Sequence, residues 1–488
     1  MTDTAAAPAR AGGALGWTYR RELSKYPRPA LKYFYLVIVI LSGIMVYFEA
    51  YAAGGVSPIL LPSLHMSIDF YSYLIVVFGV IGGAASYFGS FADRFGRANI
   101  VVFVGILLGL VTAFGIPTAH SAWAFSIWYC VLGLGDGIIF VAAPALVRDF
   151  TPQVGRATAM GAITLGAVAG SLVTSFAAVR VVSAFHDWQA LFIVAGLAGI
   201  GISLVDFFFL RELTQELRDQ KVVTFQEERL AEIRAETIDT EAATRGRWRQ
   251  VFRLSILGSA IAVGLFLIVY ITAVGYFTLY FTEILKFSVP RANDLETVYW
   301  GVNCGTLLLF GFLSDLSRVR KPFMVLGSLG AIASTALLMT ETHHPSFGAL
   351  AITLAFMAGF LGCAFAPWFA SFTETVESIN PALVATGLAI YGFGVRAVGA
   401  IQGLVIPHVI GSPLGTASGW HTWFFVCIGG LVVFIPSTLF MYGPWSPRSA
   451  ARDLRRHEEE VEAALRARGI VPDVAASASP GAGGTATA

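Results

Sequence analysis

The stretch Gly89-Ser90-Phe91-Ala92-Asp93-Arg94-Phe95-Gly96-Arg97 is a short charged segment between two apolar runs. One run covers residues 71–91 and the other covers 98–117. Each run is about 20 residues long, which is the length a helix needs to cross a bilayer. Gly89 and Gly96 permit a tight chain reversal and close helix approach. The stretch therefore predicts a charged turn at a membrane surface between two transmembrane helices.

The composition of the whole chain agrees with this interpretation. Of the 488 residues, 56% are hydrophobic and 13% are charged, and the mean hydropathy is +0.71. Soluble domains carry roughly 25% charged residues, so this composition argues against a water-soluble enzyme. The net charge of +1 gives no basic field that would attract nucleic acid. We therefore expect a protein that crosses the membrane many times.

Twelve apolar runs of spanning length are found along the chain. They lie near residues 33–54, 71–91, 98–117, 123–147, 157–180, 189–210, 254–281, 296–313, 323–340, 346–372, 383–405 and 422–444. Each is predicted to be a transmembrane helix. The predicted fold class is an all-α integral membrane protein with twelve transmembrane helices.

Polar segments divide these spans into two groups of six. We predict a cytoplasmic N-terminal segment (1–32), an N-terminal six-helix bundle (33–210), a cytoplasmic linker (211–250), a C-terminal six-helix bundle (251–444) and a cytoplasmic tail (445–488). The linker alternates acidic and basic residues, which is typical of a solvent-exposed, partly helical segment. The distal part of the tail is rich in Ala, Ser, Gly and Thr and is predicted to be disordered.

Lysine and arginine predict the orientation of the spans. Basic residues are concentrated in the N-terminal segment, in the loops after even-numbered spans and in the tail. The opposite side holds only Arg180, Lys286 and Arg291. By the positive-inside rule, both termini are cytoplasmic and the protein is a multi-pass protein of the plasma membrane. The loop 373–382 departs from this pattern, since it holds Glu374 and Glu377 and no base.

The charged turn has a second copy in the other half of the chain. The segment Gly311-Phe-Leu-Ser-Asp315-Leu-Ser-Arg318-Val-Arg320-Lys321 follows the eighth span. Asp93 and Asp315 are 222 residues apart, close to the distance between the starts of the first and seventh spans. Repeats of this kind build many transporters, with the substrate held near the membrane midplane between the halves.

These features resemble the major facilitator superfamily. Gly89 to Arg97 resembles its signature loop, and Asp149-x6-Arg156 resembles its acid–arginine pair after the fourth span. The resemblance covers about residues 30–445 and implies two six-helix bundles that rock around a central cavity. A charge cluster between the bundles is suited to hold one conformation and release it in the other. The residues assigned to this conformational gating are Gly89, Asp93, Arg94, Gly96, Arg97, Asp149, Arg156 and Asp315. The alternative interpretation is a turn that only sets the topology.

Two departures bear on the kind of transporter. Tyr129 stands where the fourth span of this superfamily often carries Arg, and the fifth span lacks the Gly-Pro pair of drug:proton antiporters. Both make a multidrug exporter less favoured. Glu49-Ala-Tyr51, followed by Ser57-Pro58, resembles the first-span motif of aromatic-acid:proton symporters, although Ala52 replaces their second acid.

Three ionisable residues lie far from any span end: Glu49, Asp136 and Arg396. Such groups are costly in a bilayer and are functional hypotheses by default. Glu49 is the first choice for proton coupling and Asp136 the second, while Arg396 stays charged and suits an anionic substrate. If the same spans line the central cavity as in the superfamily, all three charges are able to face that cavity. The alternatives are a structural hydrogen-bonded carboxyl for Glu49, helix–helix bonding for Asp136, and neutralisation of an internal acid by Arg396.

Polar and aromatic residues in the apolar runs are further candidates for the substrate pocket. With Arg396, the predicted substrate-binding residues are Tyr51, Tyr270, Asn303 and Gln402. Asn303 and Gln402 are amides in otherwise apolar runs, which makes them stronger candidates than any single aromatic residue. For the aromatic residues, packing or anchoring at the membrane interface is the competing interpretation.

These observations predict a secondary active transporter and not an enzyme. The sequence has no GxxxxGK[ST] nucleotide loop, so the energy is expected from an ion gradient, and we expect no cofactor and no metal. The leading hypothesis is proton-coupled uptake of a small organic anion by alternating access. The expected partners are this small molecule, protons and the lipid bilayer, without nucleic acid, and the protein is expected to be a monomer. Two alternatives stay open: an exporter or facilitator of a neutral or cationic compound, and a non-transporting membrane sensor or scaffold on the same fold.

Overall fold

The structure is a computed structural model. It describes residues 21–23, 25, 27–86, 96–150, 156–214, 252–340, 345–379, 384–411, 414–449 and 452. The predicted linker, except its first residues, the end of the tail, and the gating residues Gly89, Asp93 and Arg94 lie outside these ranges. Arg156 is described only as part of a helix, without its side chain.

Twelve helices in the described part are long and apolar enough to cross a membrane, which confirms the predicted number. The first six spans are the helices Pro29–Gly55, Ile68–Ala85, Arg97–Leu110, Ala122–Phe150, Arg156–Phe185 and Trp188–Phe209. The third continues through a π turn, Val111–Gly115, and a 3-10 turn, Ile116–Thr118. A short helix, Ser57–Ser63, follows the first.

The second six spans repeat this arrangement. The seventh span combines a π turn, Leu254–Gly258, with the helices Ser259–Phe266 and Ile268–Glu283. The others are the helices Val289–Ser317, Lys321–Thr340, Phe347–Ile379, Val384–Ile410 and Ala417–Ser437. A 3-10 turn, Thr438–Phe440, ends the last span.

The eighth span begins seven residues earlier than predicted, at Val289 instead of residue 296. Polar residues in this first part, such as Asn293 and Glu296, lower the local hydropathy, so the hydropathy pattern does not detect the start of the helix. Pro290 lies in the first turn, where its missing N–H costs nothing. The earlier start places Asn293 and Glu296 inside a span.

The two ends of the spans are named here by position. The termini face contains residues 21–23, 25, 27–29, 96–97, 149–150, 210–214, 318–321 and 374–379, and the distal face contains residues 56–67, 185–188, 284–289, 411 and 414–416. At the distal face, side chains cap several helices. Ser67 accepts a hydrogen bond from the Phe70 N–H at 3.2 Å, and Thr416 accepts one from Gly419 at 3.1 Å.

The N-terminal segment is attached to the start of the linker, which the sequence did not predict. The two-residue strands β1 (Glu22–Leu23) and β2 (Glu212–Leu213) pair in parallel at the termini face. Arg21 beside them is 1% exposed and donates from Nε to Asn99 Oδ1 at 3.0 Å. These contacts fix both segments to the N-terminal bundle.

Candidate functional site

Asp136 and Arg396 come from different bundles and lie near each other in the middle of the molecule. Asp136 is on the fourth span and Arg396 is on the eleventh. The guanidinium of Arg396 lies 4.3 Å from the centroid of the Phe140 ring, one helical turn beyond Asp136. Asp136 is within electrostatic range of Arg396. An acid and a base therefore face one another across the interface on which the bundles would rock.

Neither charge has a direct ionic partner in the described part of the chain. Among the residues that the structure describes, Arg396 has no hydrogen bond or ion pair, and its only contact of a polar kind is the Phe140 ring. The Asp136 carboxylate likewise has no hydrogen bond or ion pair with a described residue. Both side chains are partly exposed. Without direct partners, the Asp136 carboxylate is able to accept a proton and the Arg396 guanidinium is able to bind an anion.

Close helix packing positions Asp136. It stands between Gly135 and Gly137, and a Cβ placed at Gly137 would overlap the carbonyl oxygen of Gly82 on the second span. The second and fourth spans thus touch through their backbones at this level, which only glycine permits. This contact fixes the height and direction of the carboxylate.

Tyrosines surround the two charges. The rings of Tyr47 and Tyr51 on the first span are 5.5 Å apart, and Tyr47 is within electrostatic range of Asp136 and Arg396. Tyr51 faces Tyr270 on the seventh span. The Tyr270 hydroxyl is buried and faces the hydroxyls of Tyr51 and Ser171. The predicted pocket residues Tyr51 and Tyr270 therefore lie beside Asp136 and Arg396.

Glu49 is turned away from this group, although it lies within electrostatic range of Asp136. It is 1% exposed and faces the inside of the N-terminal bundle, where it lines an enclosed cavity of about 10 Å³ with Ser42, Gly105, Gly199 and Ser203. That volume holds about one water molecule. The idea that all three charges face one chamber does not match this geometry. About half a turn of the helix separates the two directions. Tyr47 and Tyr51 point to the other bundle, while Glu49 between them points away.

Two other predicted pocket residues are used for packing between helices. The Asn303 side chain donates from Nδ2 to the Ala358 carbonyl at 2.8 Å and joins the eighth and tenth spans. Gln402 donates from Nε2 to Thr272 Oγ1 at 3.0 Å and joins the eleventh and seventh spans. Both amides are buried, at 5% and 3% exposure. Their contacts lie within the C-terminal bundle.

The bundles are held together at the distal half. Four hydrogen bonds between described residues cross the interface: Tyr71 to the Gly275 carbonyl at 3.3 Å, Tyr276 to Ser72 at 2.8 Å, Asn293 to the Gly55 carbonyl at 2.9 Å, and Ser175 to Glu296 at 3.5 Å. Each joins residues in the distal half of their spans. The molecule is therefore closed between the site and the distal face.

Ion pairs hold the loops at the termini face. Arg97 Nη1 lies 2.6 Å from Asp149 Oδ1, and Arg320 lies 2.5 Å from Asp315 and 2.7 Å from Glu374. Gly96 has φ +91°, and the Glu212 side chain accepts a hydrogen bond from the Arg97 N–H at 2.7 Å. The predicted gating residues that the structure describes therefore form ion pairs or turns within each bundle.

Sequence reasoning missed several residues of these contacts. Glu374 was noted only as an exception to the basic loops, yet it pairs with Arg320, 54 residues earlier, much as Asp149 pairs with Arg97, 52 residues earlier. The internal repeat contained this signal. The apolar run of the eighth span begins at Glu296, so the sequence does not mark this residue as lying inside a span. Nothing in the sequence distinguishes Arg21 from the other basic residues near the N-terminus.

Known proteins resemble this chain in sequence. The family model described as Major Facilitator Superfamily matches residues 39–293. The bicyclomycin resistance protein homolog of Haemophilus influenzae is 24% identical over 66% of this chain and 75% of its own length. The cis,cis-muconate transport protein of Acinetobacter baylyi is 25% identical over 68% of this chain and 74% of its own length.

A solved structure has the same fold. The inward-open xylose transporter of E. coli superposes with a TM-score of 0.62 at 14% sequence identity, over 86% of this chain and 99% of that chain. At this identity the match shows the fold alone. It confirms the predicted all-α architecture of two six-helix bundles.

Proposed function

The chain belongs to the major facilitator superfamily, whose members are membrane transporters and not enzymes, and from this premise we propose proton-coupled uptake of a small organic anion. In this proposal Arg396 binds the anion and Asp136 carries the proton. The two bundles expose this site to one side of the membrane at a time. The protein is placed in the plasma membrane with both termini in the cytoplasm.

The unpaired guanidinium of Arg396 is the observation that carries the proposal. A guanidinium is permanently charged and is built for bidentate binding of a carboxylate. It is held in the middle of the molecule by the Phe140 ring and by no anionic partner among the described residues. An anion entering between the bundles would supply that partner. The hydroxyls of Tyr47, Tyr51 and Tyr270 nearby add donors for it.

Asp136 is better placed than Glu49 to couple protons. Asp136 is partly exposed between the bundles and senses the charge of Arg396, so anion binding there changes the field at the carboxylate. Glu49 is enclosed by its own bundle and exchanges protons only if the first, third and sixth spans separate locally. We therefore assign the coupling to Asp136 and treat Glu49 as the comparison residue.

The closure at the distal half defines the transport state. The positive-inside distribution of Lys and Arg supports a cytoplasmic termini face. With that orientation, the structure is closed toward the outer solution. Uptake then requires the four distal hydrogen bonds to break so that the site meets the outer solution. The muconate transporter among the relatives, whose name specifies a carboxylate, supports an anionic substrate.

A second candidate is export of a neutral or cationic compound. The nearness of Asp136 to Arg396 favours it, because mutual neutralisation of these charges would leave the pocket without net charge. The relative named for bicyclomycin resistance supports export of a drug. The absence of a direct ion pair between the two described side chains favours the anion proposal instead.

Flux through proteoliposomes tests the proposal. Vesicles loaded with a pH-sensitive dye receive pooled small carboxylates, sugars or amines, and internal pH is recorded for the parent, Asp136→Asn, Arg396→Gln and Glu49→Gln. Arg180→Gln is the matched control, since Arg180 is exposed near the distal face. Radiolabelled carboxylate exchange is measured in parallel, because exchange does not require proton release.

The expected result is proton entry with the carboxylate pool only. Arg396→Gln should lose both proton entry and exchange, with affinity reduced by about 30-fold or more, since a buried charge pair is worth 2–5 kcal/mol. Asp136→Asn should lose proton entry and retain exchange. Proton entry in Asp136→Asn, or unchanged anion affinity in Arg396→Gln, would contradict the assignment. Movement of amines or sugars alone would support the second candidate.

A further inference from the structure

Glu296 is a buried carboxyl at the contact between the two bundles. It is 4% exposed on the eighth span, near the distal face. Thr278 of the seventh span donates a short hydrogen bond to Oε1, and Ser175 of the fifth span donates one to Oε2 at 3.5 Å. The Ser175 bond crosses from the N-terminal bundle to the C-terminal bundle. Glu296 is therefore part of the closure that must open during transport.

The same helix face makes a second contact across the interface. Asn293, nearly one turn before Glu296, donates from Nδ2 to the Gly55 carbonyl at 2.9 Å. Close packing surrounds this point, since a Cβ at Gly55 would lie 3.3 Å from Asn293 Oδ1. When the bundles separate at the distal face, both contacts must break together. Glu296 would then pass from a dry interface into contact with the distal solution.

Among the residues that the structure describes, no positive charge forms an ion pair with Glu296 in the closed state. The ionisable groups that face it are Tyr71 from the second span and Tyr299 from its own helix. Within the described ranges, no lysine, arginine or histidine forms an ion pair with it. The basic residue Arg180, further along the fifth span, lies over the Phe176 ring instead. The buried carboxyl is thus compensated by neutral hydrogen-bond partners, which are the Thr278 and Ser175 hydroxyls and the Trp300 side chain.

We propose that Glu296 is a proton-binding site of the distal gate, which holds a proton while the gate is closed and releases it to the distal solution when the gate opens. This deepens the proposed function, on which it rests, because it adds a proton site separate from Asp136. A carboxylate without a cation is costly to bury, whereas the neutral acid is tolerated between hydroxyl partners. Water solvates the carboxylate once the gate is open.

The sign of the pH dependence follows from proton linkage. The closed state binds the proton on Glu296 more tightly than the open state does, so low pH favours closure and rising pH favours opening. One linked group changes the open-to-closed ratio by at most about tenfold per pH unit. Glu296→Gln mimics the protonated acid in shape and neutrality. It should therefore stay closed at every pH.

Distance measurements between spin labels at the distal face test this without any substrate. The labels are attached at Ser183→Cys and Ser288→Cys, two exposed positions at the distal ends of the fifth and eighth spans. The four native cysteines, Cys130, Cys304, Cys363 and Cys427, are first replaced by serine or alanine. Distance distributions of the full-length protein in lipid nanodiscs are recorded between about pH 5 and pH 9, the range in which a perturbed carboxyl titrates.

Three variants accompany the parent. Glu283→Gln is the matched control, since Glu283 lies near the distal end of the seventh span, without a contact across the interface among those described. Glu296→Asp keeps a titratable group at the site, and Ser175→Ala removes the cross-bundle hydrogen bond while it keeps the carboxyl. Parent, Glu283→Gln and Glu296→Asp should open with rising pH. Ser175→Ala should be more open than the parent and keep its pH response.

The inference is overturned if Glu296→Gln opens with pH as the parent does, or if the parent shows no pH response. A misfolded Glu296→Gln protein is recognised by its elution profile. In that case Glu296→Asp and Ser175→Ala decide the question. A pH response of Glu296→Asp with the same midpoint as the parent would equally overturn the inference. Since no substrate is used, this result is independent of the flux assay. Failure of anion uptake with a pH-dependent gate would reject the substrate assignment alone.

Discussion

Glu49 and Asp136 are carboxylates in the middle of apolar spans, yet the structure gives them different surroundings. Glu49 faces three helices of its own bundle and a cavity with room for about one water molecule. Asp136 faces the other bundle and the charge of Arg396. Hydropathy detects both as unusual, since both cost free energy in a bilayer. Only the direction of the side chain distinguishes a group inside a bundle from one at the interface between bundles.

The packing around Glu49 yields a prediction for Gly199 on the sixth span. A Cβ at this position would overlap Glu49 Oε1, so Gly199→Ala should destabilise the protein by about 1–3 kcal/mol, as overpacking does. Gly201→Ala is the matched control, because a Cβ there meets nothing within 4 Å. Apparent melting temperatures in detergent, at one fixed scan rate, compare the two. Equal melting temperatures would contradict the structure at this site.

At the scale of helices and loops, the internal repeat extends to ion pairs. Arg97 binds Asp149 in the first half and Arg320 binds Glu374 in the second, each joining the start of one helix or its preceding loop to the end of another. The repeat is not exact, since Asp315 adds a second acid to Arg320. Glu374, which the sequence places in the acidic loop 373–382, lies in the last turns of the tenth span, and its pairing with Arg320 explains why an acid stands there.

Double-mutant cycles should rank the two ion pairs. Glu374 is 37% exposed, so the Arg320–Glu374 coupling should be about 0.5–1 kcal/mol, the value typical of solvent-accessible pairs. Asp149 is 9% exposed, so loss of Arg97 should cost more than loss of Arg320. The variants Arg320→Gln, Glu374→Gln, Arg97→Gln and Asp149→Asn, with the two double variants, are compared by thermal unfolding. The reverse ranking would show that exposure does not control how much these ion pairs stabilise the protein.

At the scale of the whole molecule, one end of the interface between the bundles is closed. The cross-bundle hydrogen bonds lie in the distal half, and Arg396 reaches the fourth span near the middle. In this closed distal half, Gly54 of the first span lies directly against Val274 of the seventh span. A Cβ at Gly54 would overlap the Val274 carbonyl oxygen, so this glycine is required for closure and not for the stability of either bundle.

Gly54→Ala should therefore shift the conformational equilibrium toward the state that is open at the distal face. Spin labels at Ser183→Cys and Ser288→Cys should report a larger population of long distances, while the melting temperature changes little. Gly43→Ala on the same helix is the control, since a Cβ there meets nothing within 4 Å. If both variants gave the parent distribution, the contact at Gly54 would not control closure.

The sequence by itself determined the number of spans, the division into two halves and the family. A bilayer demands about 20 apolar residues per helix, and that demand is visible in any sequence. It also identified Asp136 and Arg396, because charges stand out in apolar runs. The tertiary structure alone decided which of these charges meet, since Glu49 and Tyr51 are two residues apart and point in different directions on a helix of 3.6 residues per turn. It also decided the contacts of Glu296 and Glu374, whose partners come from distant parts of the chain. Side-chain direction and long-range contact depend on how the helices rotate and pack, which hydropathy does not record.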